Sequence, residues 1–260
     1  MSRFVAIEHA LKLHSAFRIY RLLENMFLVI FMISWILTAY NQEEILPKTV
    51  EFLIRELKVM KIEFIISDDG SSDGTLEVAK KCAQVHKNVR FITSDHRGRG
   101  SALKNGINAA RGDIVVFSSA DVIINRKYFE SVISKMGEND VVLLSKGLPG
   151  ASPKNRKLTR IFLSYSYKIL VRFMYKTKFR DMQGIKIFRA EKLKKIMSYC
   201  RDDGFFFDTE IVLVAYKKRL KIIEVPWSSI DYRKSSVRLS TVFYMLRQLI
   251  LFYPRFRKIA

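Results

Sequence analysis

Residues 61–86 read KIEFIISDDGSSDGTLEVAKKCAQVH, and this stretch decides the fold class. A run rich in strand-forming residues ends at two aspartates, and a turn rich in Gly, Ser and Asp then leads into a helical pattern. The same order of strand and helix recurs on both sides of it. We therefore predict an α/β fold with a mostly parallel sheet and helices on both faces.

The alternation extends through most of the chain and changes character after about residue 125. Strands are predicted at 32–40, 61–67, 88–94, 113–120, 140–147, 184–190 and 220–227. Helices are predicted at 43–57, 72–86, 100–111, 161–179 and 240–258. The last two helices combine long apolar runs with Lys and Arg, so they are either interfacial helices or core helices with snorkelling cations.

The composition is that of a globular protein, with 49% hydrophobic and 27% charged residues. The formal net charge of +21 is uneven: residues 1–150 hold 20 Lys/Arg and 17 Asp/Glu, whereas residues 151–260 hold 26 and 8. Residues 151–180 contain nine basic residues and no acidic one. This surface is either a solvated basic face or one that meets an anion, either nucleic acid or phospholipid.

The two cysteines, Cys82 and Cys200, lie far apart and favour a reduced, intracellular protein. The longest apolar run, 26–40, has fifteen residues, fewer than the ~20 needed to span a bilayer. We therefore expect a protein that touches a membrane surface rather than crossing it. The basic residues alternate with apolar helices and not with aromatic stacking platforms, so nucleic acid is the weaker interpretation.

Polar clusters follow three predicted strands: 40–43, 68–71 and 119–121. In parallel sheets ligands bind beyond the carboxyl ends of the strands, so these clusters predict one site. Asp68 and Asp69 are suited to bind a nucleobase, a ribose or a hard cation. The same segment also reads as a turn with Asp73 or Ser72 as a helix N-cap, and we predict a structural role for Asp73.

The segment 96–106, HRGRGSALKNG, combines glycines with basic residues. The glycines allow close backbone approach, and Arg99 and Lys104 are candidates to face phosphates. Asp121 ends an apolar strand, where a metal ion that bridges a diphosphate would supply a partner for its carboxylate.

In this order the segments resemble the family 2 inverting glycosyltransferases of the GT-A fold. The closest likeness is to the branch that makes dolichyl-phosphate or polyprenyl-phosphate sugars. The resemblance runs from about Met32 to Leu251. The segments that match its motifs are 38–42, 68–75, 98–102, 119–121, 145–146, 160–164, 180–188, 204–211 and 235–238.

The resemblance implies that an acceptor phosphate oxygen displaces the nucleoside diphosphate at the sugar's anomeric carbon, with inversion. It implies Mg²⁺ or Mn²⁺ as cofactor, held by Asp121. The implied catalytic residues are Asp121, Asp181, Lys186 and Asp208. The implied nucleotide-binding residues are Thr38, Tyr40, Gln42, Asp68, Asp69, Arg99, Ser119 and Ala120. The implied acceptor-phosphate ligands are Lys146, Arg160 and Ser164.

Two departures from the family pattern remove negative charge near the diphosphate. Ser119 replaces the first carboxylate of Asp-x-Asp, and Gln42 replaces a Glu. Asp121 alone then holds the metal, or the donor differs, or the chain binds a sugar nucleotide without catalysis. Gln183 favours UDP-glucose over GDP-mannose as the donor. A sugar or glycolipid hydroxyl is a further candidate acceptor, against which the phosphate ligands argue.

The resemblance also implies a domain plan. Residues 1–31 form an N-terminal extension, in which the spacing of apolar residues predicts an amphipathic helix at 4–23; the alternative is upstream sequence from a misassigned start codon. Residues 32–230 form the GT-A domain, with a nucleotide-sugar half at 32–125 and an acceptor half at 126–230, and 231–260 is a basic amphipathic segment. We expect a peripheral protein on the cytoplasmic face of an anionic membrane, with a nucleotide sugar and a polyprenyl or dolichyl phosphate as partners. The oligomeric state stays open.

Overall fold

The computed structural model describes residues 31–151, 158–228 and 239–259, with the side chains of 158–162 and 239 excepted. The predicted N-terminal helix and the 235–238 motif lie outside the described residues. The described residues form one seven-stranded sheet in the order β3-β2-β1-β4-β6-β5-β7. The strands are β1 Ile33–Ala39, β2 Ile62–Asp68, β3 Val89–Thr93, β4 Ile114–Ser119, β5 Val141–Ser145, β6 Lys186–Arg189 and β7 Ile222–Pro226.

At least one helix lies between every two consecutive strands. The helices are α1 Leu46–Leu57, α2 Thr75–Val85, α3 Arg99–Ala109, α4 Arg126–Ile133, α5 Leu158–Tyr175, α6 Ala190–Met197, α7 Phe207–Lys217 and α8 Leu239–Lys258, and a short 3₁₀ helix spans Ser134–Gly137. None of the helices in the described ranges is long and apolar enough to cross a membrane.

The predicted mostly parallel sheet is confirmed. Strand β6 is the exception, because it pairs antiparallel with both β4 and β5. Strands β4 and β5 therefore run in the same direction. Their carboxyl ends lie at the same end of the sheet as the carboxyl ends of β1 and β2. This arrangement brings the first and second halves of the chain to one common edge.

Alternation along the strands builds one apolar core on each face of the sheet. Trp35 and Leu37 point to the core that α1, α2 and α4 cover. Ile36 points to the opposite core, which α3 and α5–α8 cover. The indole Nε1 of Trp35 donates to Ser118 Oγ at 2.8 Å, so this large buried ring also ties β1 to β4.

Three helices, α4, α6 and α7, were not predicted from the sequence. Helix α7 is the instructive case, because every residue from Phe207 to Ala215 is buried. A helix that is buried all round has no polar face, so it lacks the 3.6-residue periodicity by which a helix is recognised. Helices α4 and α6 have only eight residues each, too short a window for a clear period.

The close packing of β6 against β5 predicts a strict need for glycine at position 184. A Cβ atom on Gly184 would lie 1.9 Å from the carbonyl oxygen of Leu144, so the two strands would have to separate. We expect Gly184→Ala to lower the free energy of unfolding by roughly 1–3 kcal/mol, measured by urea denaturation.

Gly137→Ala is the matched control, because nothing lies within 4 Å of a Cβ at that position. We expect its effect to stay within about 0.5 kcal/mol. Equal losses for the two variants would contradict this close approach of β6 to β5.

Candidate active site

The ends of β1, β2 and β4 lie side by side, because β1 is the central strand of the three. In register, Ala39 pairs with Asp68, and Thr38 pairs with Ser119. The three polar clusters predicted to converge are therefore adjacent. Ala120 is buried and donates its backbone N–H to the Thr38 carbonyl at 3.0 Å, which fixes the start of the loop that carries Asp121.

The carboxylate of Asp68 is buried and already hydrogen-bonded within the protein. It accepts from the backbone N–H of Ser71 at 3.2 Å, from the Ser71 hydroxyl and from Thr93 Oγ1 at 3.1 Å. A carboxylate has about four acceptor positions, so Asp68 has one left for a ligand. Its geometry supports a role in shaping the turn together with at most one contact to a nucleoside.

Asp69 organises the loop that faces Tyr40. Its buried carboxylate accepts from the N–H groups of Arg97 and Gly98, at 3.1 and 3.0 Å, and lies 2.9 Å from Nδ1 of His96. The imidazole of His96 in turn stacks on the ring of Tyr40, with 4.2 Å between ring centroids. Tyr40 is 42% exposed, so the pair presents a flat aromatic surface of the kind on which a nucleobase stacks.

The turn after β2 is held by side chains from the segment after β1. Asn41, in the left-handed conformation with φ +52°, accepts the Ser72 N–H on its Oδ1 at 2.9 Å. Asp73 accepts the N–H of Thr75, the first residue of α2, at 3.0 Å. The prediction of Asp73 or Ser72 as the N-cap is wrong, because the N-cap is Gly74, but Asp73 does have the structural role predicted for it.

Gln42, which follows β1, has one buried acceptor atom without a hydrogen-bond partner among the described residues. Its Nε2 donates to the Tyr40 carbonyl at 3.0 Å, while its Oε1 is buried and has no hydrogen-bond partner among the described residues. A buried acceptor without a partner is costly, which favours a donor supplied by a ligand. A ligand could reach this buried atom only if the Gln42 side chain rotated, so the contact of Gln42 with the nucleotide stays a prediction.

The glycines of the 96–106 segment allow close backbone approach, as predicted, but to the protein's own chain. Cβ atoms on Gly98 and Gly100 would lie 2.7 Å from the carbonyl oxygens of Asp203 and Asp202 respectively. Lys104 also points to this loop, with Nζ 2.9 Å from Asp203 Oδ1. The segment thus seats α3 against the loop that precedes α7.

This contact carries Arg99 into a buried ion-pair cluster with Asp208 and Lys186, here called the charge triad. Arg99 Nε lies 2.7 Å from Asp208 Oδ2, and its guanidinium also contacts Thr38 Oγ1. Lys186 Nζ lies 2.5 Å from Asp208 Oδ1 and donates to the Gly184 carbonyl at 3.0 Å. Lys186 and Asp208 are 1% and 2% exposed, so the triad joins α3 to β6 and α7 largely away from water.

Charge complementarity decides the protonation of the triad. Burial raises the pKa of Asp208, but Arg99 and Lys186 outweigh burial and hold it below its ordinary value. Burial lowers the pKa of Lys186, and the Asp208 carboxylate opposes this shift. Asp208 also lies in the first turn of α7, where the helix dipole favours negative charge.

The predicted acceptor residues lie around the end of β5. Buried Asp181 accepts the N–H groups of Lys146 and Gln183, both at 3.1 Å, and forms an ion pair with Lys168 of α5 at 3.4 Å. The ammonium of Lys146 lies 4.9 Å from the centroid of the Trp227 ring. Asp181 therefore positions Lys146, and its catalytic role stays a prediction.

Ser164 is half-buried on α5, one helical turn after Arg160, whose side chain lies outside the described ones. The amide of Gln183 donates to Thr209 Oγ1 at 2.7 Å, next to the hydroxyl of Tyr167. This contact links the segment before β6 to the first turn of α7, one residue after Asp208.

Sequence reasoning missed Asp202 and Asp203, the pair that receives α3. Asp202 accepts the N–H groups of Gly204 and Phe207, at 2.8 and 3.0 Å, and the hydroxyl of Tyr244 on α8. The signal was present in Arg-Asp-Asp-Gly at 201–204, an acidic turn directly before an apolar run, which is typical of a helix start.

The residues at the end of β4 fit a divalent cation that arrives with its substrate. Asp121 is the carboxylate there, and Ser119 Oγ donates a hydrogen bond to its Oδ1. The described part of the chain holds no group of three His, Cys, Asp or Glu side chains placed to bind a metal ion. Mg²⁺ is commonly bound by one or two carboxylates together with substrate phosphates and water, so one carboxylate fits such an ion.

The charge triad predicts a large cost for neutralising its centre. Asp208→Asn leaves Arg99 and Lys186 without the buried carboxylate, and we expect a loss of about 3–5 kcal/mol in the free energy of unfolding. Asp203→Asn is the matched control, because Asp203 also contacts two cations but is about one-third exposed. We expect its loss to stay below about 1 kcal/mol, and a comparable loss in both variants would contradict a special role for the triad.

The lowered pKa of Asp208 also predicts a pH dependence. The unfolded carboxyl takes up a proton near pH ~4, above the pKa of the folded one, so the stabilisation is present above about pH 4 and is lost as the pH falls further. Urea denaturation of the wild-type chain between about pH 5 and pH 2.5 should show this loss. Asp208→Asn should lose less stability over the same range, and parallel curves would exclude this assignment.

Comparison with known proteins is consistent with this geometry. The chain is 30% identical over 202 residues to glycosyltransferase AglD of Haloferax volcanii, an alignment that covers 75% of this chain and 32% of AglD. It is 30% identical over 222 residues to a dolichyl-phosphate beta-glucosyltransferase of Dictyostelium discoideum, covering 78% of this chain and 68% of that protein. The chain thus spans about a third of the first relative and two-thirds of the second.

The fold has solved counterparts. Glucosyl-3-phosphoglycerate synthase from Mycobacterium tuberculosis, crystallised with Mn²⁺, UDP and glucosyl-3-phosphoglycerate, superimposes with a TM-score of 0.64 at 20% identity, over 87% of this chain and 80% of that one. This likeness identifies the GT-A fold. The sequence profile of glycosyl transferase family 2 matches residues 34–197. The chain therefore belongs to glycosyl transferase family 2 and is a glycosyltransferase by family.

Proposed function

We propose that the protein transfers a hexose from a nucleotide sugar to a dolichyl or polyprenyl phosphate at a membrane surface. UDP-glucose is the favoured donor, and GDP-mannose is the next. The observation that carries the proposal is that the donor cluster at the end of β4 and the acceptor cluster at the end of β5 share one edge of the sheet. Two strand spacings separate them, about 10 Å, which suits a diphosphate and one sugar.

The donor side is supported by several contacts that can be made at once. The Tyr40–His96 surface would stack the base, and Gln42 Oε1 would accept a hydrogen bond from it. UDP is favoured because the curated relative from Dictyostelium is named a dolichyl-phosphate beta-glucosyltransferase and because the solved counterpart was crystallised with UDP. Thr38 and Arg99, which contact each other, would lie beneath the ribose and diphosphate.

On the acceptor side the residues neutralise charge and hold the attacking oxygen. A phosphate monoester has its second pKa near ~6, so it is mostly dianionic at neutral pH and needs no strong general base. Lys146, with Arg160 and Ser164 of α5, would hold this phosphate, and Asp181 fixes the backbone at Lys146. Asp121 would hold Mg²⁺ or Mn²⁺, which supplies charge neutralisation at the leaving diphosphate.

The membrane part of the proposal comes from α5 and α8, which pack against each other. Tyr165, Ile169 and Phe173 are exposed at four-residue spacing on α5, with Phe173 82% exposed. Helix α8 adds exposed Phe243 and Ile250. Exposed apolar residues beside many cations are typical of helices that bind an anionic bilayer surface. Both cysteines are free and buried, which favours the cytoplasmic face of that membrane.

One observation favours a second candidate, a relative that binds a sugar nucleotide with altered donor choice or without turnover. Ser119 stands where a second carboxylate would be, and its hydroxyl donates to Asp121 instead. One carboxylate binds a hard cation more weakly than two, so the enzyme depends on phosphates for the remaining ligands.

A transfer assay separates the two candidates. UDP-glucose and GDP-mannose are each incubated with a polyprenyl phosphate and with Mg²⁺, Mn²⁺ or EDTA. We expect glucosyl-phosphate lipid that disappears with EDTA, and a loss of about 10²-fold or more in Asp121→Asn. Ser119→Asp, which restores the family pattern, should lower the metal concentration for half-maximal rate. Nucleotide binding by calorimetry without product from either donor would favour the non-catalytic candidate.

A vesicle assay tests the membrane surface separately. Phe173→Ser removes the most exposed of the apolar side chains on α5, so we expect weaker co-sedimentation with anionic vesicles, by about tenfold in partition coefficient. Val85→Ser is the matched control, because Val85 is 72% exposed at the end of α2. Helix α2 covers the face of the sheet opposite to the one that α5 covers. Equal partitioning of both variants and the wild type would place the lipid contact elsewhere.

A further inference from the structure

Two neighbouring helices end with a cation in a conformation that favours glycine. Lys176, directly after α5, has φ +51°, and Arg219, two residues after α7, has φ +56°. The hydroxyl of Tyr216 donates to the Lys176 carbonyl at 3.1 Å, so the two helix ends are held together. Among the described residues the remaining non-glycine with positive φ is Asn41, a residue type that tolerates it.

The end of α7 has the hydrogen bonds of a Schellman motif. The N–H of Leu220 donates to the Ala215 carbonyl at 3.1 Å, and the N–H of Arg219 donates to the Tyr216 carbonyl at 3.0 Å. Glycine is the usual residue at the position that Arg219 occupies, because a Cβ atom there is strained. Retained strain of this kind is found where the side chain itself is required.

A cleft of about 690 Å³ opens beside these helix ends. Its walls come from the segment after α5, the end of α7, the start of β7 and the residues before β5; they are Lys178, Phe179, Tyr216, Arg219, Leu220, Lys221, Ile222, Glu138 and Asn139. The amino ends of β5 and β7 lie at the end of the sheet opposite the candidate active site. The length of β5 separates Asn139 from Lys146, about 16 Å at ~3.3 Å per residue. The cleft is therefore distinct from the acceptor-phosphate site.

The charges in the cleft fit an anion. Lys178, Arg219 and Lys221 are the cations of the cleft wall, and Glu138 is the carboxylate that lines it. A second carboxylate, that of Asp140, lies beside the wall and accepts the backbone N–H of Lys221 at 2.9 Å. Within the described part of the chain, none of these three cationic side chains has a hydrogen bond or an ion pair. All three cations are exposed, so water and salt screen their mutual repulsion, and an anion in the cleft would be attracted to all three at once. The rings of Phe179 and Tyr216, edge to face with centroids 5.6 Å apart, add an apolar wall.

The ordinary explanation, that cations at helix ends offset the helix dipole, does not account for Arg219. Helix α7 ends with Lys217 and has Lys218 as its C-cap, and these two cations fill that role. A glycine at 219 would satisfy the backbone geometry without strain. What the arginine adds is a planar guanidinium suited to phosphate oxygens.

We propose that this cleft binds a phosphate-bearing anion, held by the Arg219 guanidinium together with Lys178 and Lys221. The shared chemistry is a phosphate group, from either the headgroup of an anionic phospholipid or a soluble phosphate compound. The site is separate from those of the donor and the acceptor, so it adds a third anion site to the protein.

The test is hydrogen exchange by mass spectrometry on the full chain, with inorganic pyrophosphate as the soluble probe. In the wild type we expect pyrophosphate to slow exchange in the peptide that covers 216–222. In Arg219→Gly the concentration for half-maximal protection of that peptide should rise about tenfold. Any protection by pyrophosphate elsewhere in the chain should be the same in Arg219→Gly as in the wild type. This comparison separates binding in the cleft from binding at the candidate active site.

Arg219→Gly should also melt no lower than the wild type, because glycine suits the backbone conformation there. Lys87→Gly, which removes an exposed cation in the turn before β3, controls for net charge and should keep the protection of 216–222. A second arm uses phosphatidylglycerol vesicles, with phosphatidylcholine vesicles as reference. Protection by pyrophosphate supports a soluble ligand, and protection by anionic vesicles alone supports a headgroup. No protection by either, or equal protection in Arg219→Gly, overturns the proposal.

Discussion

The ion pair between Arg99 and Asp208 is the interaction on which the site depends. The two residues are 109 positions apart, and they join α3, which lies between β3 and β4, to α7, which lies between β6 and β7. Lys186 adds a second buried cation from β6. An isolated buried carboxylate would be protonated, and isolated buried cations would be expelled, so the three charges require one another. Forming the triad costs desolvation free energy, and removing one of its members leaves a buried charge unpaired. The triad therefore fixes the position of α3 against α7 more than it adds to the free energy of unfolding.

The glycines beside Arg99 show how the chain makes that alignment feasible. Gly98 and Gly100 let α3 approach the backbone of residues 202–203 more closely than any side chain would allow. Asp202 in turn caps the turn before α7 and receives Tyr244, while Glu210 of α7 pairs with Arg255. A displacement of α8 would therefore be felt at α7 and, through Asp208, beneath Thr38. These contacts are contiguous from α8 through α7 to Thr38 at the end of β1.

The fold class and the location of the site could be predicted from the sequence, because both depend on local patterns. Each strand is either uniformly apolar or alternates between apolar and polar residues, and each polar cluster directly follows a strand. The ends of β1, β2 and β4 can therefore be located in the sequence. The triad could not be predicted, because nothing local indicates that Arg99 meets Asp208 and not a phosphate. Helix α7 was missed for a related reason: full burial from Phe207 to Ala215 removes the period.

The excess of basic residues in the second half of the chain divides into two groups with different consequences. Lys168, Lys186 and Arg255 are each paired with a buried or nearly buried carboxylate, so their charge is cancelled inside the fold. Few acidic residues then remain to balance the exposed cations of α5, α8 and the 216–222 turn. The outward field of this half is consequently positive over an extended surface, and it acts on any anionic membrane before contact. Salt screens such a field over about 8–10 Å but leaves the buried triad almost untouched. The positive field of this surface and the alignment of α3 with α7 therefore depend on ionic strength to different degrees, although both rest on the same residue types.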